Sequence, residues 1–422
     1  MKGLFFHGLD FEKKKIYDMM VMMIQDKFEC GDKMKKILFV VDERRMGGVS
    51  ILLESILGKL NKKKFQIDVL ILHNNGELLN HLDSKIKVIY GTPYFEAIDY
   101  SIKDVLKMKN LSLLWKKIRV VWDMKTGRIE KRIQRERKKI LKEHYDVEVA
   151  FKDGFTALFT AFGDSTKKVH WLHYEYEKLN PNGKYPKLFE KAFLNIDQIV
   201  AVSQGVMDCF NRIYHLEDKT MVIKNLVEID RIRAKGGEAV PKKEQLHDSK
   251  IHFVSVGRLH PQKGYHQLIE AVSKLKEEKL LKNCSFRIYG AGSELKSLEN
   301  LVNQYELHKY ISFEGERMNP FPYVKASDMF ILSSIYEPFG LVIVESMALG
   351  VPVLATANAA TGELIQDGKN GMIVENSVDG LYHGLKSILK HPEKINDMKQ
   401  QLLEYQYPIE HIIKEIEGVL EH

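Results

Sequence analysis

The sequence predicts an α/β protein of two domains facing each other across a cleft, and three observations lead there. Short apolar runs alternate with amphipathic segments along most of the chain, the pattern of strands that cross over through helices into parallel sheets. The alternation starts at Met34, breaks off near residue 232 and starts again at Ile251. Between the two runs lies RAKGGEAVPKKEQLHDSK, Arg233 to Lys250, charged and nearly free of apolar residues, as an interdomain linker is. With 422 residues, each half is long enough to bury its own core.

Composition narrows the class. Apolar content of 44% and charged content of 29% are ordinary for a globular protein. No apolar run approaches the ~20 residues that cross a bilayer. The opening MKGLFFHGLDF lacks the long apolar region and small-residue cleavage site of a signal peptide. Cys30, Cys209 and Cys284 are odd in number and show no paired metal-ligand spacing, so a reduced, cytoplasmic setting is expected. Residues 1–33, which include IYDMMVMMIQ, form an N-terminal extension to which no role is assigned.

The first domain is expected over 34–232. ILFVV within Lys36 to Asp42 is a buried strand, followed by a turn with Gly47 and Gly48 and the helical pattern ILLESILGKL. That turn does not complete the dinucleotide fingerprint, which excludes a nicotinamide cofactor. FQIDVLIL, IKVIYG, DVEVAF, VHWL, IDQIVAV and TMVIKNLV supply further strands, and Ser203 suits a helix N-cap. His170 and His173 stand three apart, but no Cys or acidic cluster accompanies them, so no metal site is expected.

Between Trp115 and Lys142 the chain carries twelve Lys or Arg against three acids, more than its whole net charge of +7. Trp115, Ile118, Val121 and Trp122 fall at helical spacing among these cations. A membrane-surface helix needs such faces, and an anionic membrane surface at 115–142 is one reading. A solvated basic face over an ordinary core stripe accounts for the same pattern. No nucleic-acid motif accompanies the charge, so nucleic acid is not expected as a partner.

The second domain is expected over 251–396. Ile251 to Val256 is a strand that Gly257 ends, and a helix with Leu268, Val272 and Leu275 on its apolar stripe starts near Gly264. Arg258 and Lys263 lie between them; a planar fork and a compact ammonium would both suit a diphosphate. Gly290 and Gly292 follow CSFRIY in a turn of close backbone approach, and ISFEG ends at Gly315. The run Asp328 to Ser334 then delivers the chain into SSIYEPFGLVIVESMALG. Glu337 is placed in a turn, Pro338 in the first turn of a helix, and Glu345 over a turn further in. The amides of Phe339, Gly340 and Leu341 would lie near that helix's N-terminus, open to an anion. A strand–loop–helix unit puts this loop at the carboxyl edge of a parallel sheet, where open α/β folds bind ligands.

EPFGLVIVE from Glu337 to Glu345, the following GVP at Gly350 to Pro352 and the loop GRLHPQKG together resemble glycosyltransferase family 4, enzymes of GT-B fold that use nucleotide sugars with retention. The likeness runs from Met34 to the C-terminus and is densest from Gly257 to Asn376. It implies two Rossmann-like domains, with the helical segment 397–422 packing back on the first. It also implies transfer of a sugar, foremost from a UDP-sugar, to a glycan or lipid-linked acceptor in surface polysaccharide or glycolipid synthesis. No cofactor is implied, and the absence of Asp-x-Asp argues against a metal-bound diphosphate. The cysteine usage and the basic segment, not the resemblance, make the expected setting cytoplasmic, with a peripheral place on the inner face of the cell membrane as one reading.

Roles follow from the same resemblance. Arg258, Lys263 and the helix end at Gly340 would neutralise the departing diphosphate, whose own oxygen would help deprotonate the acceptor. Glu337 would orient hydroxyls of the donor sugar and Glu345 those of the ribose, with the base lodged near Gly315. Gly48, Gly257, Gly290, Phe339 and Leu341 would complete the donor site. A histidine facing the cleft is expected, and His173 is chosen because it follows the VHWL strand; a merely satisfied histidine is the other reading. Leu226 stands where the family commonly has glycine, so that turn is expected to differ. A non-catalytic GT-B partner subunit and a nucleotide-sugar epimerase or hydrolase are the alternative functions.

Overall fold

The computed structural model describes residues 34–42, 48–73, 82–98, 100–179, 185–241, 244 and 250–422. The extension 1–33, Gly47 and part of the linker (242–243 and 245–249) lie outside them. The described residues form two parallel sheets. Seven strands make the first: β1 (Lys35–Val41), β2 (Phe65–Ile71), β3 (Lys87–Tyr90), β4 (Val147–Ala150), β5 (Lys167–Leu172), β6 (Gln198–Ala201) and β7 (Thr220–Val222). Six make the second: β8 (Ile251–Val256), β9 (Cys284–Tyr289), β10 (Ile311–Gly315), β11 (Met329–Leu332), β12 (Val353–Thr356) and β13 (Gly371–Val374). Their orders are β3-β2-β1-β4-β5-β6-β7 and β10-β9-β8-β11-β12-β13. Helices cover both faces, which is why the central strands read as unbroken apolar runs. Ile37 to Val40 in β1, for example, are wholly buried.

Both orders reverse direction at one point, between β1 and β4 and between β8 and β11. At such a point two neighbouring loops leave the sheet in opposite senses and a crevice opens between them. The loop after β4 carries Asp153 in the first domain, and the loops after β8 and β11 carry Lys263 and Glu337 in the second. The domains are joined by an apolar seam, since Ile343, Val344 and Met347 cluster with the first-domain core around Phe39, Phe151 and Trp171. The outer face of the second sheet has its own core, including Phe253, Leu268, Phe286 and Leu385.

Two boundaries differ from those expected. The helix Ile229–Gly236 runs into the polar stretch, so the linker begins at Gly237 rather than Arg233. Ile229 and Ile232 are buried, and Arg233 donates to the carbonyls of Ala348 (3.2 Å) and Tyr405 (2.5 Å). The boundary at 397 cuts through the helix Glu393–Gln401, whose Ile395 and Met398 belong to the second core. The chain crosses back only afterwards. Tyr407 donates to the Asn225 carbonyl (2.7 Å), and the helix Ile409–Glu421 buries Ile412, Ile416 and Leu420 in the first domain. The 3.6-residue spacing of those side chains leaves an apolar stripe that only a neighbouring core can cover. Leu226 is buried and has no positive φ, so its turn uses no left-handed residue.

The basic segment is two helices, Leu111–Thr126 and Ile129–Ile140, separated by Gly127 at φ +71°. Two cations of the second point inward. Arg137, 4% exposed, pairs with Glu148 at 2.7 Å and Asp164 at 3.1 Å, and Arg132 pairs with Asp123 at 3.2 Å.

Candidate active site

The loops after β8 and β11 are laced together by backbone. Ile335 N–H donates to the Gln262 carbonyl (2.8 Å), Gln262 Nε2 to the Tyr336 carbonyl (3.2 Å), and Ser333 Oγ to the Lys263 carbonyl (2.9 Å). Gly264 makes this approach feasible. It sits at φ +62°, and a Cβ there would lie 2.0 Å from the Ser333 carbonyl oxygen, inside any tolerable contact. The lacing brings Lys263 Nζ within 2.6 Å of Glu337 Oε2, with Ser334 Oγ donating to the same oxygen at 3.3 Å. Thr356 Oγ1 donates to the Ser334 carbonyl (2.7 Å) and Asn376 Nδ2 to the Ile335 carbonyl (2.7 Å), fixing the loop from behind.

The helix that follows starts at Leu341, not at Pro338. Gly340, at φ +81°, is its N-cap, and Pro338 stands outside it in the loop. The Pro338 carbonyl accepts a hydrogen bond from Ser203 Oγ (2.6 Å), a tie across the domains. Ser203 also caps its own helix, accepting from Val206 N–H at 3.3 Å. Phe339 is buried and Leu341 half-buried at this helix end, where the leading amides lack carbonyl partners of the helix itself. Gly48, first residue of the helix Gly48–Lys59, faces it across the cleft; a Cβ on Gly48 would lie 3.4 Å from Leu341 Cδ1.

Glu345 is half-buried on the same helix. Burial pushes its carboxyl up to about 7, the Glu337 charge pushes the same way, and Lys263 pulls it back. Lys263, Glu337 and Glu345 are thus one electrostatic group. The sign of the resulting pH dependence is fixed. With a folded value near 7, above the ordinary 4.5, the group's contribution to stability is full below about pH 4.5 and is lost as pH rises through 7. The urea midpoint of the wild type should therefore fall relative to that of Glu345→Gln between pH 5 and 8. Parallel curves would contradict this placement.

Arg258 is exposed at the rim, and its guanidinium makes no hydrogen bond or ion pair with the described residues. Gly257 and Gly290 touch through backbone, because a Cβ on Gly290 would lie 1.9 Å from the Gly257 carbonyl oxygen. Gly290 N–H donates to the Gly315 carbonyl (2.9 Å), which brings the ends of β8, β9 and β10 together. Beside Gly315 the Arg317 guanidinium lies over the rings of Tyr289 (5.8 Å) and Tyr323 (5.6 Å).

In the first domain His173 follows β5 directly and is 6% exposed. Its N–H donates to Asp153 Oδ2 (2.9 Å) and its ring meets Phe151 edge-on at 5.0 Å. Burial lowers its pKa to about 3, so the imidazole is neutral near pH 7. Asp153, at the end of β4, is pushed up to about 7 by burial. His170, wholly buried, stacks on Phe193 at 5.6 Å and belongs to the core. Tyr336, next to Glu337, feels the charges of Glu175 and Asp153, so the Glu337 loop faces the chain that follows His173. His173 makes no hydrogen bond to the second domain among the described residues. Sequence reasoning missed Asp153, Ser333, Ser334 and Gln262. Only Asp153 left a signal, as a carboxylate at the carboxyl end of a central strand.

Comparison with known proteins bears on this architecture. Residues 238–404 match the family model described as glycosyl transferases group 1. The match spans the second domain. An uncharacterised glycosyltransferase of Haemophilus influenzae is 24% identical over 400 residues, 92% of this chain and 100% of its own. A lipopolysaccharide core biosynthesis glycosyltransferase of Rhizobium meliloti, LpsE, is 30% identical over 215 residues, 50% of this chain and 59% of its own. Some relatives are thus matched over little more than half of their length. The crystal structure of HepE from Anabaena in complex with UDP superposes with a TM-score of 0.66 at 19% identity, covering 91% of this chain and 99% of that one. The group 1 domain and its amino-terminal companion therefore form the GT-B fold. The site just described occupies the facing carboxyl edges of its two sheets.

Proposed function

We propose that this chain transfers a sugar, with retention at the anomeric carbon, from a nucleoside diphosphate sugar to a glycan or lipid-linked acceptor. The observation that carries the reading is the group formed by Lys263, Glu337 and Glu345 beside the Leu341 helix end, opposite the first domain's own switch point. Such a reaction passes through an oxocarbenium-like centre while a diphosphate departs. Preorganised charge in a half-closed site stabilises both. Lys263, Arg258 and the helix end face the departing diphosphate, and Glu337, held by Lys263 and Ser334, orients the sugar hydroxyls. Glu345 takes the ribose, and the Gly315 edge beside Arg317 takes the base. The leaving phosphate's oxygen accepts the acceptor's proton, and neutral His173 adds no charge to that step.

UDP is the nucleotide favoured, supported by the Anabaena HepE structures with UDP and with UDP-glucose. Surface polysaccharide synthesis is supported by LpsE and by a Campylobacter jejuni N-acetylgalactosaminyltransferase named for a diphospho-undecaprenol acceptor, 26% identical over 219 residues. No described helix is long and apolar enough to cross a membrane; we place the enzyme at the cytoplasmic face, where nucleotide sugars are made.

Thermal-shift screening of nucleoside diphosphates, followed by NMR of the product, tests this. A ligand at a hundredfold its Kd adds about 2.7 kcal/mol to apparent stability. UDP and one or more UDP-sugars should raise the melting temperature, UMP less so, and the product should keep the donor's anomeric configuration. Inversion, or no stabilisation by any nucleoside diphosphate, would refute the reading.

A further inference from the structure

The helix Leu111–Thr126 carries two apolar faces. Leu113 and Val120 are 7% and 4% exposed and join the first-domain core, with Asp123 buried beside them. At about 100° per residue, Leu111, Trp115, Ile118 and Trp122 fall on the opposite side. They are 73%, 72%, 46% and 46% exposed. A helix lying on a core needs one apolar stripe, so the outward one is surplus to folding. Trp115, Ile118 and Trp122 line a surface hollow with Ser112, Lys116 and Arg119. The short helix Ile102–Lys107, which packs against this one, leaves Ile102 (45%), Leu106 (56%) and the adjoining Met108 (52%) exposed as well.

Charge decides what such a face meets. Residues 101–128 carry eight Lys or Arg and two Asp. One of those acids, Asp123, is buried and paired with Arg132. Arg119 and Lys125 flank the Trp stripe on its two sides, and the Arg128 guanidinium lies 4.3 Å from the Trp122 ring centre. A second copy of this chain would bring the same positive charge against it, which disfavours a symmetric contact. An anionic surface with an apolar interior matches both features. Of the cations further on, Arg132 and Arg137 are spent on internal carboxylates, while Lys131, Arg135 and Lys138 stay exposed on the next helix. The exposed apolar stripe and the cations around it span 102–128, overlapping the 115–142 that composition suggested.

We propose that this face seats the protein on an anionic lipid bilayer. Trp115, Ile118 and Trp122 enter the interfacial region, where amphipathic rings settle, and the surrounding cations lie over anionic headgroups. The segment connects the edge strand β3 to β4 and belongs to the first domain alone. The patch acts on its own and does not require the transfer reaction.

The experiment is co-sedimentation of the full chain with vesicles of phosphatidylcholine alone or mixed equally with phosphatidylglycerol, read by pelleted fraction and by tryptophan emission. Trp171, the third tryptophan, is 1% exposed, so a vesicle-dependent blue shift reports Trp115 and Trp122. Wild type should pellet with the anionic vesicles and shift to the blue. The W115S/W122S variant should partition at least tenfold more weakly and lose the shift. Arg119→Gln, Lys125→Gln and Arg128→Gln should each reduce the preference for anionic vesicles roughly fivefold. All positions are on the surface, and unchanged melting curves verify that the variants fold. Absence of anionic-vesicle binding, or equal binding by wild type and W115S/W122S, would overturn the proposal. Self-association abolished by W115S/W122S without vesicle binding would assign the face to a second copy instead. Vesicle binding needs no nucleotide sugar, so this result and the transfer assay fail independently.

Discussion

Glu337→Gln should lower kcat by about 10²–10³, the scale of losing one preorganised charge at a transition state, while affinity for UDP stays equal or tightens. Glu337 and Lys263 form a 2.6 Å ion pair, and the substitution acts on both. The amide keeps the shape of the side chain and its contact with Ser334 but removes the charge that meets the sugar. It also releases the Lys263 ammonium, which is then free for the diphosphate. Turnover and nucleotide binding should therefore move apart, and steady-state kinetics beside calorimetry with UDP will show it. A loss of kcat below tenfold, or a parallel loss of UDP affinity, would remove Glu337 from the reacting sugar.

Lys263→Ala should weaken UDP binding tenfold or more, since a charge-assisted contact is worth about 1.5–3 kcal/mol. Part of that loss comes from the carboxylate left behind, because Glu337 then faces the incoming phosphates without its counter-charge. The double variant Lys263→Ala/Glu337→Gln should accordingly regain some of the affinity that Lys263→Ala alone loses. Neighbours that share a partner are non-additive in this way. Strict additivity in the cycle would mean that the two groups act separately on the nucleotide, despite their contact. Arg258→Ala gives the comparison: with no ion pair to break among the described residues, its effect on UDP should be the bare loss of a rim cation.

Much of the framework was written in local pattern. Apolar runs such as ILFVV, IHFVSV and MFIL are long enough for strands only, and each is followed by helical periodicity, so two parallel α/β halves were legible without any contact information. Glycines marked the close turns, and the spacing of Glu337 and Glu345 put one carboxylate in a loop and the other on a helix. These features depend on residues a few positions apart, where backbone geometry alone sets who is near whom.

The rest depends on partners distant in sequence. That Lys263 spends its charge on Glu337, 74 positions away, follows from the lacing of the β8 and β11 loops, and no local rule contains it. The tie from Ser203 to Pro338 needs two domains in register, and Pro338 is held outside the helix whose first turn it suited. Burial, too, is a property of the assembled chain: it raises Glu345 and Asp153 and silences His173, though in the sequence all three look like ordinary titrating groups. In the basic segment composition showed the charge but not its direction. The sequence by itself determined that Trp115 and Trp122 share a helical face. Only packing decided that Leu113 and Val120 take the core and leave the tryptophans to the surface, because a helix against a sheet can bury one side alone.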